Sequence, residues 1–437
     1  MNKLYNNKVL GIFIILQPII DIITSIMINE FNSSISIGMV IRFFFLIYAL
    51  VYLYKYKDKK TIIYLLIWLL YISINLIGNF IIKDNFIIVS QLKLLLKMVY
   101  FPISLLFFYK YFKNNNELDS NVFTHTAMLV GISLLLSSIT NTSYCTYGSH
   151  INCFNDGTIA WFNSANEYGL ILIALLGLTL SSFIKKINIF NILSLSAIII
   201  FLTMLGTKAS FIGLIGILGA YVGYYIVTYF IDKTKFKNIY KVLFLIVVIF
   251  SVLISTPVLP ITSNLQGTKD RRIDELNNGD CENCCLDLLN GEDPNESESV
   301  RTTLVFNGRD NFININKNFY KKSNIFNKLF GITSQGNYLD GNEYFHINER
   351  DFHDLLIFYG IIGLLIELLL PLSLLFSIIK KLFKNFKIIL NDTFVVYGLV
   401  ISFMLLGSFM AGHCLFSPAV SFYLALMINL LIKKLGE

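Results

Sequence analysis

Long apolar runs separated by short, lysine-rich stretches dominate this chain, and the pattern predicts helices that cross a bilayer rather than elements with one wet face. A crossing needs about 20 mostly apolar residues. Windows of that kind lie at 9–28, 35–54, 61–82, 89–109, 121–140, 166–184, 189–207, 210–231, 239–258, 352–379, 393–411 and 418–432, which makes about twelve spans. Lys3 and Lys8 precede the first window as they would in a secretory signal. Its length, Pro18, Asp21 and the lack of a small-residue cleavage site instead predict a retained helix. One long interruption divides the chain into helices at 1–258, a loop at 259–351 and helices at 352–437.

Composition agrees. Of 437 residues 55% are hydrophobic and only 14% charged, more apolar surface than a water-soluble fold can hide. A formal charge of +7 would suggest nucleic acid in a soluble protein, but here the lysines sit between spans, so nucleic acid is not an expected partner. They set orientation instead, because short basic loops stay cytoplasmic. Lysines at 55–60, 110–113, 185–186, 233–237, 380–387 and 433–434 follow every second window. Both termini are therefore expected in the cytoplasm, with 259–351 outside. That loop holds 15 of the 28 Asp and Glu residues. Its stretch from Thr268 to Val300 reads as a polar insertion, and Phe312, Ile315 and Phe319 have the spacing of an amphipathic helix.

This topology puts all six cysteines on or near the outside: Cys145, Cys153, Cys281, Cys284, Cys285 and Cys414. Disulfides in an oxidising space are expected, Cys145 with Cys153 being the favoured pair. The Cys281, Cys284 and Cys285 cluster is the one candidate for zinc, but no His or second Cys pair follows at the spacing of a structural site, so no metal is expected.

Charges inside spans are costly and mark cavities or ion pairs. The candidates are Asp21, Arg42, Lys93, Lys97, Glu167, Lys208 and Glu367. Lys93 and Lys97 share a helix face, and with Arg42 and Lys208 they can line an outward-facing cationic pocket. The alternative is an Asp21–Arg42 pair with the lysines reaching up to headgroups. Pro18, Pro102 and Pro371 are candidate kinks.

Four local patterns occur in a fixed order. They are Trp161-Phe162-Asn163-Ser164-Ala165-Asn166-Glu167-Tyr168-Gly169; Gly206-Thr207-Lys208-Ala209-Ser210; Asn307-Gly308-Arg309 followed by Leu329-Phe330-Gly331; and Glu349-Arg350-Asp351-Phe352-His353-Asp354 leading into Tyr359-Gly360-Ile361-Ile362-Gly363. A closing Gly412-His413-Cys414-Leu415-Phe416-Ser417-Pro418 follows. In order and placement these resemble the O-antigen ligase and O-antigen polymerase superfamily of bacterial envelope glycosyltransferases.

The resemblance implies an all-α integral membrane protein of the cytoplasmic membrane, a GT-C-like bundle of about twelve transmembrane helices with a large extracytoplasmic loop between the ninth and tenth. It implies an enzyme that polymerises or transfers polyprenyl-pyrophosphate-linked oligosaccharide in surface polysaccharide synthesis of the O-antigen or capsule type. The donor, a glycan acceptor and the bilayer are its partners, with polysaccharide-assembly proteins beside them. Pyrophosphate is already a good leaving group, so cations and a base suffice, without cofactor or metal. Arg309 and Lys208 are the expected pyrophosphate ligands, with Lys97, Arg42 and Asn166 in support.

Ligases of the family often carry His eleven residues before the first Gly of the Gly-x-x-Gly pair, where this chain has Glu349. Glu349 is therefore the expected general base, with His346 as rival and Asp351 nearby, and the departure favours a polymerase over a ligase. An acidic pair at Glu349 and Asp351 can also form a rim salt bridge with Arg350. A transporter or flippase for lipid-linked glycan is the rival from another class, although its binding residues would sit nearer the bilayer midplane.

Overall fold

The computed structural model describes residues 5–33, 36–82, 88–115, 118–147, 156–231, 239–277, 309–332 and 349–436. These residues are helical apart from connections and one isolated β-bridge, Cys145 with Thr158. The helices are α1 (Asn7–Asn29), α2 (Ile37–Lys55), α3 (Lys59–Ile82), α4 (Ile88–Asn114), α5 (Ser120–Ile139), α6 (Ala165–Lys185), α7 (Ile189–Met204), α8 (Lys208–Ile231) and α9 (Ile239–Ser255). After these come α10 (Pro260–Asn277), α11 (Arg309–Lys322), α12 (Ile325–Phe330), α13 (Asp351–Lys384), α14 (Asp392–Met410) and α15 (Pro418–Lys434).

Each of the sequence windows falls on a helix, but the count of twelve crossings is not reached by length. Among the described residues ten helices are long and apolar enough to span a membrane. The other two windows hold α7, with 16 residues, and α15, with 17. At 1.5 Å per residue these reach about 24–26 Å, short of a hydrocarbon core of about 30 Å. The protein is a multi-pass membrane protein. A helix does cover Phe312, Ile315 and Phe319, as α11, and their side chains lie outside the described residues.

Two helices form the centre. Every residue of α6 from Tyr168 to Ile184 is buried, and so is every residue of α15 from Ala419 to Leu431. A helix apolar all round belongs inside protein. Around them α4 packs on α15, α14 and α7 pack on α6, and α5 packs on α7 and α1. Gly177 on α6 lets α14 approach, because a Cβ there would meet Val400 Cγ2 at 2.5 Å.

The peripheral helix α3 turns the usual amphipathic pattern inside out. Its buried residues, Thr61, Tyr64, Trp68, Tyr71, Asn75 and Asn79, all carry polar atoms, while Leu66, Leu69 and Leu70 are exposed. In lipid the outward face is apolar and the inward stripe holds hydrogen bonds. That stripe holds the end of α12, the break in α13 and the start of α4: Asn75 Nδ2 donates to Phe330 O (2.7 Å), Tyr71 Oη to Tyr359 O (2.8 Å), and Gln91 Nε2 to Asn75 Oδ1 (2.7 Å). Asn75→Leu leaves the Phe330 carbonyl only its longer bond from Tyr71 Oη (3.3 Å) and strands the Gln91 amide, so about 1–3 kcal/mol of stability should go. A lower thermal midpoint of the purified variant checks this, and an unchanged midpoint contradicts it.

The backbone of α13 breaks at Gly360 (φ 69°, ψ −177°) rather than at Pro371. Gly331, with φ 89°, lies against the break, and Ile332 N donates to Ile357 O at 3.0 Å. Leu329-Phe330-Gly331 of the third pattern and Tyr359-Gly360 of the fourth are thus one structural unit, in which two glycines allow backbone to meet backbone.

Contacts also bring three of the lysine-rich stretches, at 55–60, 110–113 and 433–434, to one end of the bundle. Lys110 pairs with Asp58, Lys433 Nζ donates to Phe112 O (2.9 Å) and Asn115 O (3.1 Å), and Tyr111 Oη donates to Asn7 Oδ1 (3.1 Å). Hydrogen bonds from Lys110 and Thr61 hold the Asp58 carboxyl below the ordinary aspartate range.

Candidate functional site

The other end of the bundle is built from the starts of α6, α8, α13 and α15. Gly169 on α6 packs against the start of α8, where an added Cβ would lie 2.7 Å from Ser210 Oγ, so the first two patterns touch. Gly206 turns with φ 70°, and its carbonyl accepts from Asn264 Nδ2 at 3.0 Å.

Asp351 ties the fourth pattern to the last. Its Oδ2 accepts from Ser408 Oγ (2.6 Å), Cys414 N (2.8 Å) and Leu415 N (2.8 Å), and the residue is 1% exposed. A carboxylate so fully engaged fixes the connection between α14 and α15. Gly412 (φ 69°) sits against Glu349, whose carbonyl oxygen would lie 2.5 Å from an added Cβ. Glu349 (φ 55°) and His413 (φ 63°) are both non-glycine residues in left-handed conformation. Such a conformation costs roughly 1–2 kcal/mol per residue and concentrates where geometry serves function. His413 Nδ1 lies 3.8 Å from Glu167 Oε1, which links this strained loop to the first turn of α6.

Glu167 in turn lines a cavity of about 610 Å³ enclosed by α1, α2, α4 and the starts of α6 and α15. Asp21, Arg42, Lys93 and Lys97 also line it. Arg42 donates to Asp21, and the two side chains are 13% and 14% exposed. Lys93 and Lys97 stand one turn apart on α4. The wall thus carries three cations and two carboxylates, one of those carboxylates already paired with Arg42. Phe162 and Tyr168 stack at 3.5 Å between centroids along one side. Arg42 Nε, Tyr100 Oη and Tyr168 Oη are buried donors without a partner in the protein. Unused donors around a charged cavity suit a polar, anionic ligand. Met39, Phe43 and Leu96, each more than a third exposed, line the side between α2 and α4.

The residues expected from sequence distribute unevenly. Arg42 and Lys97 line the cavity together with Lys93, and the Asp21–Arg42 pair is formed. Lys208 opens α8, half-buried, and is not among the lining residues; Asn166 lies in the first turn of α6 and is also outside the lining. Glu349 is not among the lining residues; its backbone lies against Gly412, next to His413, whose ring is the neighbour of the lining residue Glu167. Arg309 opens α11 with its side chain outside the described residues, and His346 lies outside them altogether.

Glu167, one of the charges expected to mark a cavity, does line it, and its neighbour His413 is the residue that sequence reasoning missed. The signal available was a Gly-His step in a connection between two late spans. Among the described residues no group of three His, Cys, Asp or Glu side chains is arranged to hold a metal ion. Cys145 is disulfide-bonded, whereas Cys414 is a free, buried thiol, which departs from an all-disulfide set. Burial and then the Asp351 charge push the Cys414 thiol well up, so it stays neutral. The other four cysteines lie outside the described residues.

A family model described as "O-antigen ligase like membrane protein" matches residues 3–437. No curated protein and no solved structure matches the chain.

Proposed function

The chain belongs to the O-antigen ligase-like membrane protein family, and from that premise we propose that it transfers a glycan from a polyprenyl diphosphate to an acceptor hydroxyl at the outer face of the bacterial cytoplasmic membrane. The observation that carries this reading is the cavity wall that joins Arg42, Lys93 and Lys97 to unpartnered buried donors. The acceptor oxygen attacks the anomeric carbon as the bond from that carbon to the diphosphate oxygen breaks. Glu349 takes the acceptor proton. The charge that develops on the leaving diphosphate is held by the guanidinium fork of Arg42 and by the two lysines. Arg309 contributes from the start of α11, and Lys208 from the start of α8, which packs on α6 at Gly169. The isoprenoid tail lies in the bilayer beside Met39, Phe43 and Leu96.

A cavity at one end of the bundle suits an enzyme that meets its carrier in one leaflet. A transporter would need its charged site nearer the midplane.

Purified protein in nanodiscs, supplied with a polyprenyl-diphosphate oligosaccharide, tests the reading. One addition to a second acceptor is the ligase outcome, which fits the family description; a ladder of products is the polymerase outcome, which fits Glu349 standing in place of His. No transfer by folded protein overturns the proposal. Glu349→Gln should lower turnover by about 10²–10⁴-fold, the usual worth of a positioned base, while the protein stays folded. A rate within twofold of the parent reassigns the base, with His413 next in line.

A further inference from the structure

We propose that the lysine-rich end of the bundle carries a second, separate binding site, one for the headgroup of an anionic phospholipid. A cavity of about 450 Å³ opens there between α4 and α15, lined by Tyr109, Phe112, Lys113, Asn429, Ile432 and Lys433. It lies far from the charged cavity described above: on α4 the lining residues Lys93 and Lys113 are 20 positions apart, about 30 Å along the helix.

Three features build this site. Lys433 is held in place, because its ammonium donates to the Phe112 and Asn115 carbonyls that end α4. Those carbonyls orient the charge without neutralising it. Lys113 supplies a second cation on the same side, and among the described residues neither lysine pairs with a carboxylate. Asn429 is 2% exposed; its Nδ2 is used by Leu105 O (3.0 Å) and Ala425 O (2.8 Å), while its Oδ1 has no partner. Two cations beside an acceptor that lacks a donor match a phosphodiester carrying a free hydroxyl, the headgroup chemistry of a phosphatidylglycerol.

A lipid is the source favoured over a soluble phosphate by position and walls. The cavity stands where two membrane-buried helices end, and Tyr109, Phe112 and Ile432 give it an aromatic and aliphatic side. Basic pockets between helix ends at a membrane face take anionic headgroups in this way. The site also bears on the pair of helices that forms the charged cavity, since α15 begins at that cavity and α4 runs beside it. A headgroup seated here clamps α4 to α15 from the far end.

Native mass spectrometry of the full chain, titrated separately with phosphatidylglycerol, phosphatidylcholine and inorganic phosphate, tests the proposal without reference to glycan transfer. Phosphatidylglycerol should bind about tenfold or more tighter than phosphatidylcholine, given two lysines at the headgroup. Lys113→Glu, an exposed change that should not disturb folding, should bring the two lipids within about twofold of each other. Lys433→Gln, which keeps a donor for the helix-ending carbonyls, should show a smaller loss, and Lys380→Glu on α13 none. Equal affinity of the parent protein for both lipids, or a preference that survives both Lys113→Glu and Lys433→Gln, overturns the site. Displacement of the bound lipid by millimolar inorganic phosphate overturns the lipid assignment.

Discussion

Arg42→Ala is expected to reduce glycan transfer by about 10²–10³-fold, the usual cost of removing one donor aimed at developing charge. The same change harms the fold, because Asp21 would be left almost fully enclosed without its cation. Breaking a buried pair from one side costs about 3–5 kcal/mol. Two further variants separate these effects. Arg42→Lys keeps a charge beside Asp21 and should recover most of the stability, but it lacks the planar fork and should remain well below parent turnover. Asp21→Asn combined with Arg42→Ala removes the stranded carboxylate and should regain stability without regaining transfer. Thermal midpoints and turnover measured on the same preparations check both. Activity that returns together with stability in the double variant would make Arg42 a structural residue only.

Gly360→Ala should be the most damaging of the small substitutions. With φ near 69° and ψ near −177°, the position lies in a region open essentially to glycine alone, and occupying it with a side chain costs about 1–3 kcal/mol in backbone strain. A Cβ there would also run into the Leu329 carbonyl and Gly331 N. Those are backbone atoms that cannot swing aside. The Tyr71 and Asn75 bonds to this crossing would be lost with it. The expected result is loss of monodisperse protein, or a thermal midpoint lowered by far more than in Asn75→Leu. Gly216→Ala is the control: on α8 nothing lies within 4 Å of its added Cβ, and alanine in a helix is favoured over glycine by up to about 1 kcal/mol. Equal midpoints for Gly360→Ala and parent would remove the broken-helix account of the fourth pattern.

Much of the architecture was legible because a bilayer imposes a simple code of length and hydropathy, and every window from 9–28 to 418–432 lands on a helix. The code fails where protein replaces lipid as the surroundings. α7 and α15 are shorter than the ten long helices, and α15, like α6, is buried nearly throughout, so its apolar composition reports its protein neighbours as well as the bilayer. The break in α13 was hidden for a related reason: prolines advertise kinks, but the chain bends where Gly331 and Gly360 touch, a contact across 29 positions.

The site divides along the same line. Arg42 and Lys97 were legible because a charge inside an apolar run is costly wherever it points. Lys208 has the same signal, yet α8 contributes no residue to the lining. Asp351 was expected near the chemistry, and its hold on the connection between α14 and α15 was hidden because Ser408, Cys414 and Leu415 are 57 to 64 positions away. His413 carried almost no signal. Its importance comes from a left-handed backbone and from Glu167, and neither can be read along the chain.

The central claim is that one cavity, walled by Arg42, Lys93 and Lys97, seats the diphosphate of the lipid carrier. Its most direct test is an experimental structure of the full chain in nanodiscs with a polyprenyl diphosphate bound. The expected result is both phosphates among those three side chains, with the first isoprene units beside Phe43 and Leu96. Phosphates lodged at Lys208 instead, with the cavity between α2 and α4 left to solvent, would contradict the account.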